Sequence, residues 1–165
     1  MKTAPQRTMD LQANGRRLAF QLPLLGVNGA RALTGLDEDE LMNEIGQRRI
    51  LWAWNIALQA EGRTELRIWN RSLVCWIEPH LTQPRDLAGV LATILPAKSE
   101  LTGTLDSKEV KRLLNTGHTH VANLCAAGQL VEHGKSGKRA VSGPNGKRII
   151  TRASVVEFFR TRQIT

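Results

Sequence analysis

Apolar positions along this chain fall at helical spacing in some stretches and alternate in others, and the switches between the two mark its elements. From Leu36, Asp37 and Glu40 have capping-box spacing and Leu41 and Ile45 lie one turn apart, so the pattern predicts a helix that stops near Gly46. Ile50, Trp52, Trp54 and Ile56 then alternate with smaller or polar residues, as on the buried face of a strand. Gln59 to Thr64, with Gly62, reads as a turn, and Glu65 to Trp69 as the returning strand of a hairpin. After Asn70 the period becomes helical again. Leu73, Trp76 and Ile77 share a face, Asn70 is the expected cap and Pro79 the stop. Pro79, Pro84 and Pro96 punctuate a connecting stretch over 79–104, in which Leu87, Leu91, Ile94 and Leu95 predict one helix. The first 30 residues, with Asn14-Gly15 and Asn28-Gly29 turn pairs around Leu18 to Leu25, read as an extended arm with one strand.

The pattern is sharpest in the last third. Asp106 and Glu109 repeat the capping-box spacing, and Val110, Leu113 and Leu114 form an apolar face. Asn115-Thr116-Gly117 interrupts the helix. A second one is expected from His118 to Gly128 with Val121, Leu124 and Cys125 inward. Two short helices joined by a three-residue turn have the spacing of a helix-turn-helix. The domain reading is therefore a Trp-rich module over 1–78, a linker over 79–104 and a second module over 105–165.

Charge sharpens this division. The chain carries a formal charge of +8. Residues 105–165 hold eleven Lys and Arg against four Asp and Glu, a net +7, whereas all four tryptophans lie before them. One half has the composition of a polyanion-binding surface and the other that of a hydrophobic core or assembly face. The tryptophans read as core rather than as a base-stacking platform, because they fall on an alternating strand and a helix face. No apolar run approaches the roughly 20 residues of a membrane span, and Leu18 to Val27, broken by Gln21 and Pro23, makes no convincing secretory leader. Cys75 and Cys125 match neither a disulfide framework nor a zinc module. A reduced, cytoplasmic, nucleoid-associated chain is the expectation.

Leu105, Glu109-Val110, Leu113-Leu114, Val121, Leu124 and Gly128-Gln129-Leu130 follow one another without a gap, and Arg148-Ile149-Ile150-Thr151-Arg152 leads into Val155, Phe158 and Phe159. In this, Leu105 to Phe159 resembles the winged helix-turn-helix of excisionases and MerR-like regulators. The resemblance implies a β-wing between the recognition helix and a closing strand and helix. It also implies duplex DNA as the partner, and a role in transcription regulation or in recombination of a mobile element. Two departures stand out: Gly117-His118-Thr119 is less basic than is usual, and the wing, Glu132 to Lys147, is long and glycine-rich.

The expected fold class is mainly α with small β-hairpin wings, an α+β chain. Thr116, Gly117, His118, Thr119, Ala122 and Asn123 are the candidate contacts of the recognition helix and its turn. Asn can bond adenine through N6 and N7, and His or Thr can bond base edges or phosphates. Lys135, Lys138, Arg139, Lys147, Arg148 and Arg152 are the candidate contacts of the wing and its closing strand, suited to a phosphate backbone or the minor groove. Sparse base-reading groups imply modest specificity per monomer, so a homodimer or higher assembly through residues 36–95 is expected, with room for a protein partner. A faint repeat sets Leu36–Gly46 on Leu105–Asn115 and Ile68–Ile77 on Ile150–Phe159, which makes the N-terminal half a second, degenerate winged helix. Its acidic first helix would repel phosphate and suits assembly.

Other chemistry finds less support. His118, His120, Cys125 and His133 lack metal-ligand spacing, and Gly134-Lys135-Ser136 lacks the glycine and strand of a phosphate-binding loop. No nucleophile–base pair or carboxylate pair is recognisable, so neither an enzyme nor a metal or other cofactor is expected. The rival reading is an adaptor: a winged helix that no longer reads sequence and holds a protein partner through the Trp-rich half.

Overall fold

The computed structural model describes residues 21–59, 61–133 and 148–165 of this mixed α+β chain. Its described residues form two compact units, one running to Gln83 and taking back Gln163–Thr165, the other spanning Pro84–Arg162.

In the first unit, β1 (Leu24–Leu25) leads through Gly26 into α1 (Val27–Thr34), and Gly35, at φ 79°, turns the chain into α2 (Glu38–Gly46). α2 starts as its sequence dictates. Asp37 Oδ1 accepts the Glu40 N–H at 2.9 Å and Glu40 Oε2 accepts the Asp37 N–H at 2.8 Å, an arrangement typically worth about 1 kcal/mol at the cap. β2 (Ala53–Asn55) and β3 (Leu66–Trp69) form the expected antiparallel hairpin, and β1 pairs with the other edge of β3. α3 (Asn70–Ile77) follows β3 without a break. Leu25, Leu33, Leu41, Ile45, Ile50, Ile68 and Leu73 fill the core between helices and sheet.

Four expectations change here. Residues 1–20 of the expected arm, with Asn14-Gly15, lie outside the described residues; Val27–Thr34 is a helix, with Asn28-Gly29 inside its first turn rather than at a bend. Gly29 fits because a Cβ there would lie 3.4 Å from the Leu25 side chain. Asn70 does not cap α3, since Trp69 is the N-cap; the Asn70 amide instead donates to Leu22 O at 3.0 Å and ties β1 down. The buried face of α3 runs through Ser72, Leu73 and Cys75, while Trp76 and Ile77 are half-buried. Ser72 is inside because its hydroxyl accepts the Leu51 and Trp52 N–H groups at 3.1 and 3.2 Å. Burial pushes the Cys75 thiol up.

Trp52, Trp54 and Trp69 are buried, with Trp52 and Trp54 stacked at 6.3 Å between ring centroids. Ala53 between them is buried as well, so β2 is covered on both faces. The last residues of the chain also reach it. Gln163 bridges Trp54, and the Ile164 N–H donates to Ala53 O at 2.9 Å. The 105–165 domain therefore loses its final three residues to the first unit.

The second unit begins before the expected boundary. Residues 79–104, read as a linker with one helix, contain α4 (Leu87–Ile94), α5 (Lys98–Thr102) and the start of β4 (Thr104–Asp106), and Pro84–Thr104 belongs to this unit. Asp86 caps α4 through the Gly89 N–H, and Val90, Leu91, Leu95 and Ser99 are buried. α6 (Ser107–Leu114), α7 (His118–Ala126), β5 (Ile149–Thr151) and α8 (Arg152–Arg162) complete it. β4 and β5 pair antiparallel, Leu105 opposite Ile150, and Glu132 bridges Ile150 on the other side. Among the described residues no helix is long and apolar enough to cross a membrane.

The backbone also changes the register of the sequence repeat. α2 is the second helix after β1 whereas α6 is the first after β4, so Leu36–Gly46 is not the counterpart of Leu105–Asn115. The other half of the repeat keeps its register: Trp69 and Thr151, aligned by sequence, both end a strand, and Asn70 and Arg152 both start a helix.

Candidate nucleic-acid interface

α6 is set by its capping box. Asp106 Oδ1 accepts the Glu109 N–H at 2.8 Å and Glu109 Oε2 accepts the Asp106 N–H at 2.9 Å. Glu109 Oε1 also meets Lys98 Nζ at 2.6 Å, which joins α5 to α6 and holds the Lys98 ammonium above its usual range. Val110, Leu113 and Leu114 bury the inner face, while Lys108 and Arg112 stay exposed. Asn115 then takes the left-handed conformation at φ 49°, one that Asn tolerates better than most side chains, and the Thr116 N–H closes onto Lys111 O at 3.1 Å. The chain is thereby turned into α7 within three residues.

α7 is held by Val121 and Leu124, both buried, and by Leu130 just beyond it. Cys125, expected inward, is half-buried. Thr119, Asn123 and Ala126 recur at helical spacing and are exposed, with His118 exposed beside them and Ala122 half-buried. Gly117 is the N-cap and no side chain caps the helix. The first N–H groups of α7 are therefore served by no cap side chain, at the end of the helix where the macrodipole favours an anion. His118, Thr119 and Asn123 thus come together at and near that end, with Gly117 exposed and Thr116 half-buried in the turn before it.

Of the stretch expected to form the wing, only the flanking residues are described. Lys135, Lys138, Arg139 and Lys147 lie outside the described residues. Arg148 Nη1 meets Glu132 Oε1 at 2.7 Å, the Glu132 side chain 6% exposed and that of Arg148 44%. The pair joins the two segments that flank residues 134–147. On either side of it the His133 N–H donates to Ile149 O and the Thr151 N–H to Val131 O, both at 2.8 Å. Arg152 Nη2 lies 3.8 Å from Glu100, and its side chain is mostly covered. Arg148 and Arg152 are thus each partnered by an acid.

Three positioning groups escaped the sequence reading. Glu132, the one acid between Val131 and Lys147, could have been picked out as the counter-charge of a basic ribbon. The Ser154 hydroxyl accepts the Val131 N–H at 3.0 Å and donates to Thr151 O at 2.9 Å, fixing Val131 to the start of α8. Arg162 reaches Gln129 beyond α7 and lies over the Phe158 ring, 5.6 Å from its centroid. Neither Ser154 nor Arg162 has a local signal. Among the described residues no group of three or more His, Cys, Asp or Glu could hold a metal ion.

The chain matches no family model, no curated protein and no solved structure. The meaning of this face therefore rests on its own chemistry.

Proposed function

We propose that the second unit is a winged helix-turn-helix, resembling those of excisionases and MerR-like regulators, that binds double-stranded DNA in a sequence-dependent manner. The chain then acts as a transcriptional regulator or as an accessory factor in recombination of a mobile element. The observation that carries this is α7: an exposed His118, Thr119 and Asn123 at and near an N-terminus that no side chain caps, on a helix anchored from behind by Val121 and Leu124. In the major groove Asn123 would pair with an adenine edge, worth about 1–3 kcal/mol of discrimination, while the uncapped N–H groups would donate to a phosphate oxygen. The wing lysines and arginines would add sequence-independent attraction. Limited base-reading capacity in one unit favours a homodimer, or a higher assembly through residues 36–95.

The adaptor reading keeps one specific support, the pairing of Arg148 with Glu132 and of Arg152 with Glu100, which lowers the positive charge available to phosphate. Titration of His118→Ala and Asn123→Ala against a preferred and a scrambled duplex separates the two. DNA reading predicts a loss confined to the preferred duplex with the salt slope unchanged. Equal, small losses on both duplexes would favour the adaptor.

A further inference from the structure

We infer that residues 24–77 of the first unit and 104–162 of the second are copies of one module, and that acidic side chains in the first copy leave the chain with a single DNA-reading helix. The inference rests on the reading of α7 proposed above, and extends it to which part of the chain sets specificity.

The correspondence is a fixed offset of 80 residues. α1 and α6 each have eight residues and α2 and α7 each have nine, starting at Val27 and Ser107, and at Glu38 and His118. The left-handed residue after the first helix is Gly35 in one copy and Asn115 in the other; after the second it is Arg48 and Gly128. The helix-ending hydrogen bonds repeat donor by donor. Arg48 N–H donates to Ile45 O and Gly128 N–H to Cys125 O; Ile50 N–H donates to Glu44 O and Leu130 N–H to Leu124 O. Leu25 and Leu105, Leu33 and Leu113, and Ile50 and Leu130 are buried in pairs.

After Ile50 the first copy has one residue more, which makes the offset 79 at Trp52 and Val131, and at the closing strand it becomes 82. Asn70 N–H then donates to Pro23 O as Arg152 N–H does to Gly103 O, and Trp69 N–H to Trp52 O as Thr151 N–H does to Val131 O. Even the serine repeats: Ser72 Oγ accepts the Trp52 N–H as Ser154 Oγ accepts that of Val131. Hydrogen bonds between residues tens of positions apart do not recur in this way from secondary-structure propensity alone, which is local.

The copies differ where the second one would read DNA. The counterpart of Gly117 is Asp37, whose carboxylate accepts the Glu40 N–H, so a side chain caps the helix end that is uncapped in α7. His118 is replaced by Glu38 and Thr119 by Asp39, both exposed, while Asn123 keeps its type as Asn43. A phosphate brought to α2 as it would be to α7 meets three carboxylates in the first turn, Glu38, Asp39 and Glu40. Their repulsion opposes the attraction of the macrodipole. The base preference of the chain is therefore set by α7 alone, and a two-part DNA site requires a second chain.

The test places a photo-crosslinking side chain at Thr119 or at its counterpart Asp39 in the full chain, with radiolabelled random duplex at low salt. Both positions are exposed at the start of a helix, so neither change disturbs the core. The inference predicts a crosslink yield at least tenfold higher from position 119. Comparable yields from the two positions would overturn it by showing that both copies meet DNA. No crosslink from either, with no duplex retained by the unsubstituted chain, would overturn the DNA-binding proposal itself and take the single reading helix with it.

Discussion

The ion pair between Glu132 and Arg148 makes an asymmetric prediction. Glu132 is almost covered and Arg148 is nearly half in solvent. Arg148→Ala withdraws the cation from a carboxylate that has little access to water. A lost hydrogen bond to a charged group usually costs about 1.5–3 kcal/mol, and the exposure of Arg148 puts the expected loss near the lower end, about 1.5 kcal/mol. Glu132→Gln leaves an acceptor of the same shape and a guanidinium that can turn to water, so about 0.5–1 kcal/mol is expected. The readout is amide exchange at His133 and Thr151, whose N–H groups bond across the strands on either side of the pair. At 1.4 kcal/mol per tenfold, Arg148→Ala should lower protection there by about tenfold and Glu132→Gln by about two- to fivefold. A double-mutant cycle isolates the coupling. All four tryptophans lie in the first unit, so their fluorescence checks that this unit is untouched. Equal effects from both variants, or none at either amide, would refute the idea that the pair clasps the segments on either side of residues 134–147.

Other predictions follow from the caps, the left-handed residues and one carboxylate. Asp37→Ala and Asp106→Ala should each cost about 1 kcal/mol in urea denaturation, because each removes the N-cap of a short helix; no change in the midpoint would contradict that role. Arg48 at φ 56° occupies a conformation costly to a non-glycine residue, whereas Gly128 holds the same place at φ 73°. Arg48→Gly should therefore stabilise and Gly128→Ala destabilise, each by about 1 kcal/mol, and thermal melts with the opposite signs would show that the strain is not real. Glu44 accepts the Trp76 indole N–H at 2.7 Å and the Arg49 guanidinium at 2.6 Å, which together hold its carboxyl below the ordinary 4.5. A depressed folded value means that stability is fully present above pH 4.5 and is lost as pH falls through the folded value. Trp76→Phe should weaken this acid dependence, and an unchanged pH profile would remove Trp76 as its cause.

What the sequence made legible was local. The two capping boxes need only residues three apart, and both helices begin where Asp37 and Asp106 place them. The β2–β3 hairpin and the junction into α3 were visible because the hydrophobic period changes there, and the junction into α8 through the family resemblance. Val27–Thr34 was missed because Val27, Ala30 and Leu33 make only a thin apolar stripe and Asn28-Gly29 mimics a turn; its helix is held by tertiary burial of Ala30 and Leu33. The covering of β2 by the last residues of the chain spans more than a hundred positions and leaves no local mark. The duplication was half legible for a related reason. The capping box that stands out in the first copy belongs to its second helix, the one in the second copy to its first helix, and aligning the two shifts the register by one helix. For the candidate site, the exposed face of α7 followed from periodicity, but the acids that partner Arg148 and Arg152 come from distant parts of the chain.

The most direct measurement of the central claim is selection of bound duplexes from a random DNA pool by the full chain at near-physiological salt. The account predicts an enriched motif with an adenine-containing core that is lost in Asn123→Ala, on top of salt-sensitive binding to all duplexes. Retention of no duplex, even at low salt, would contradict it.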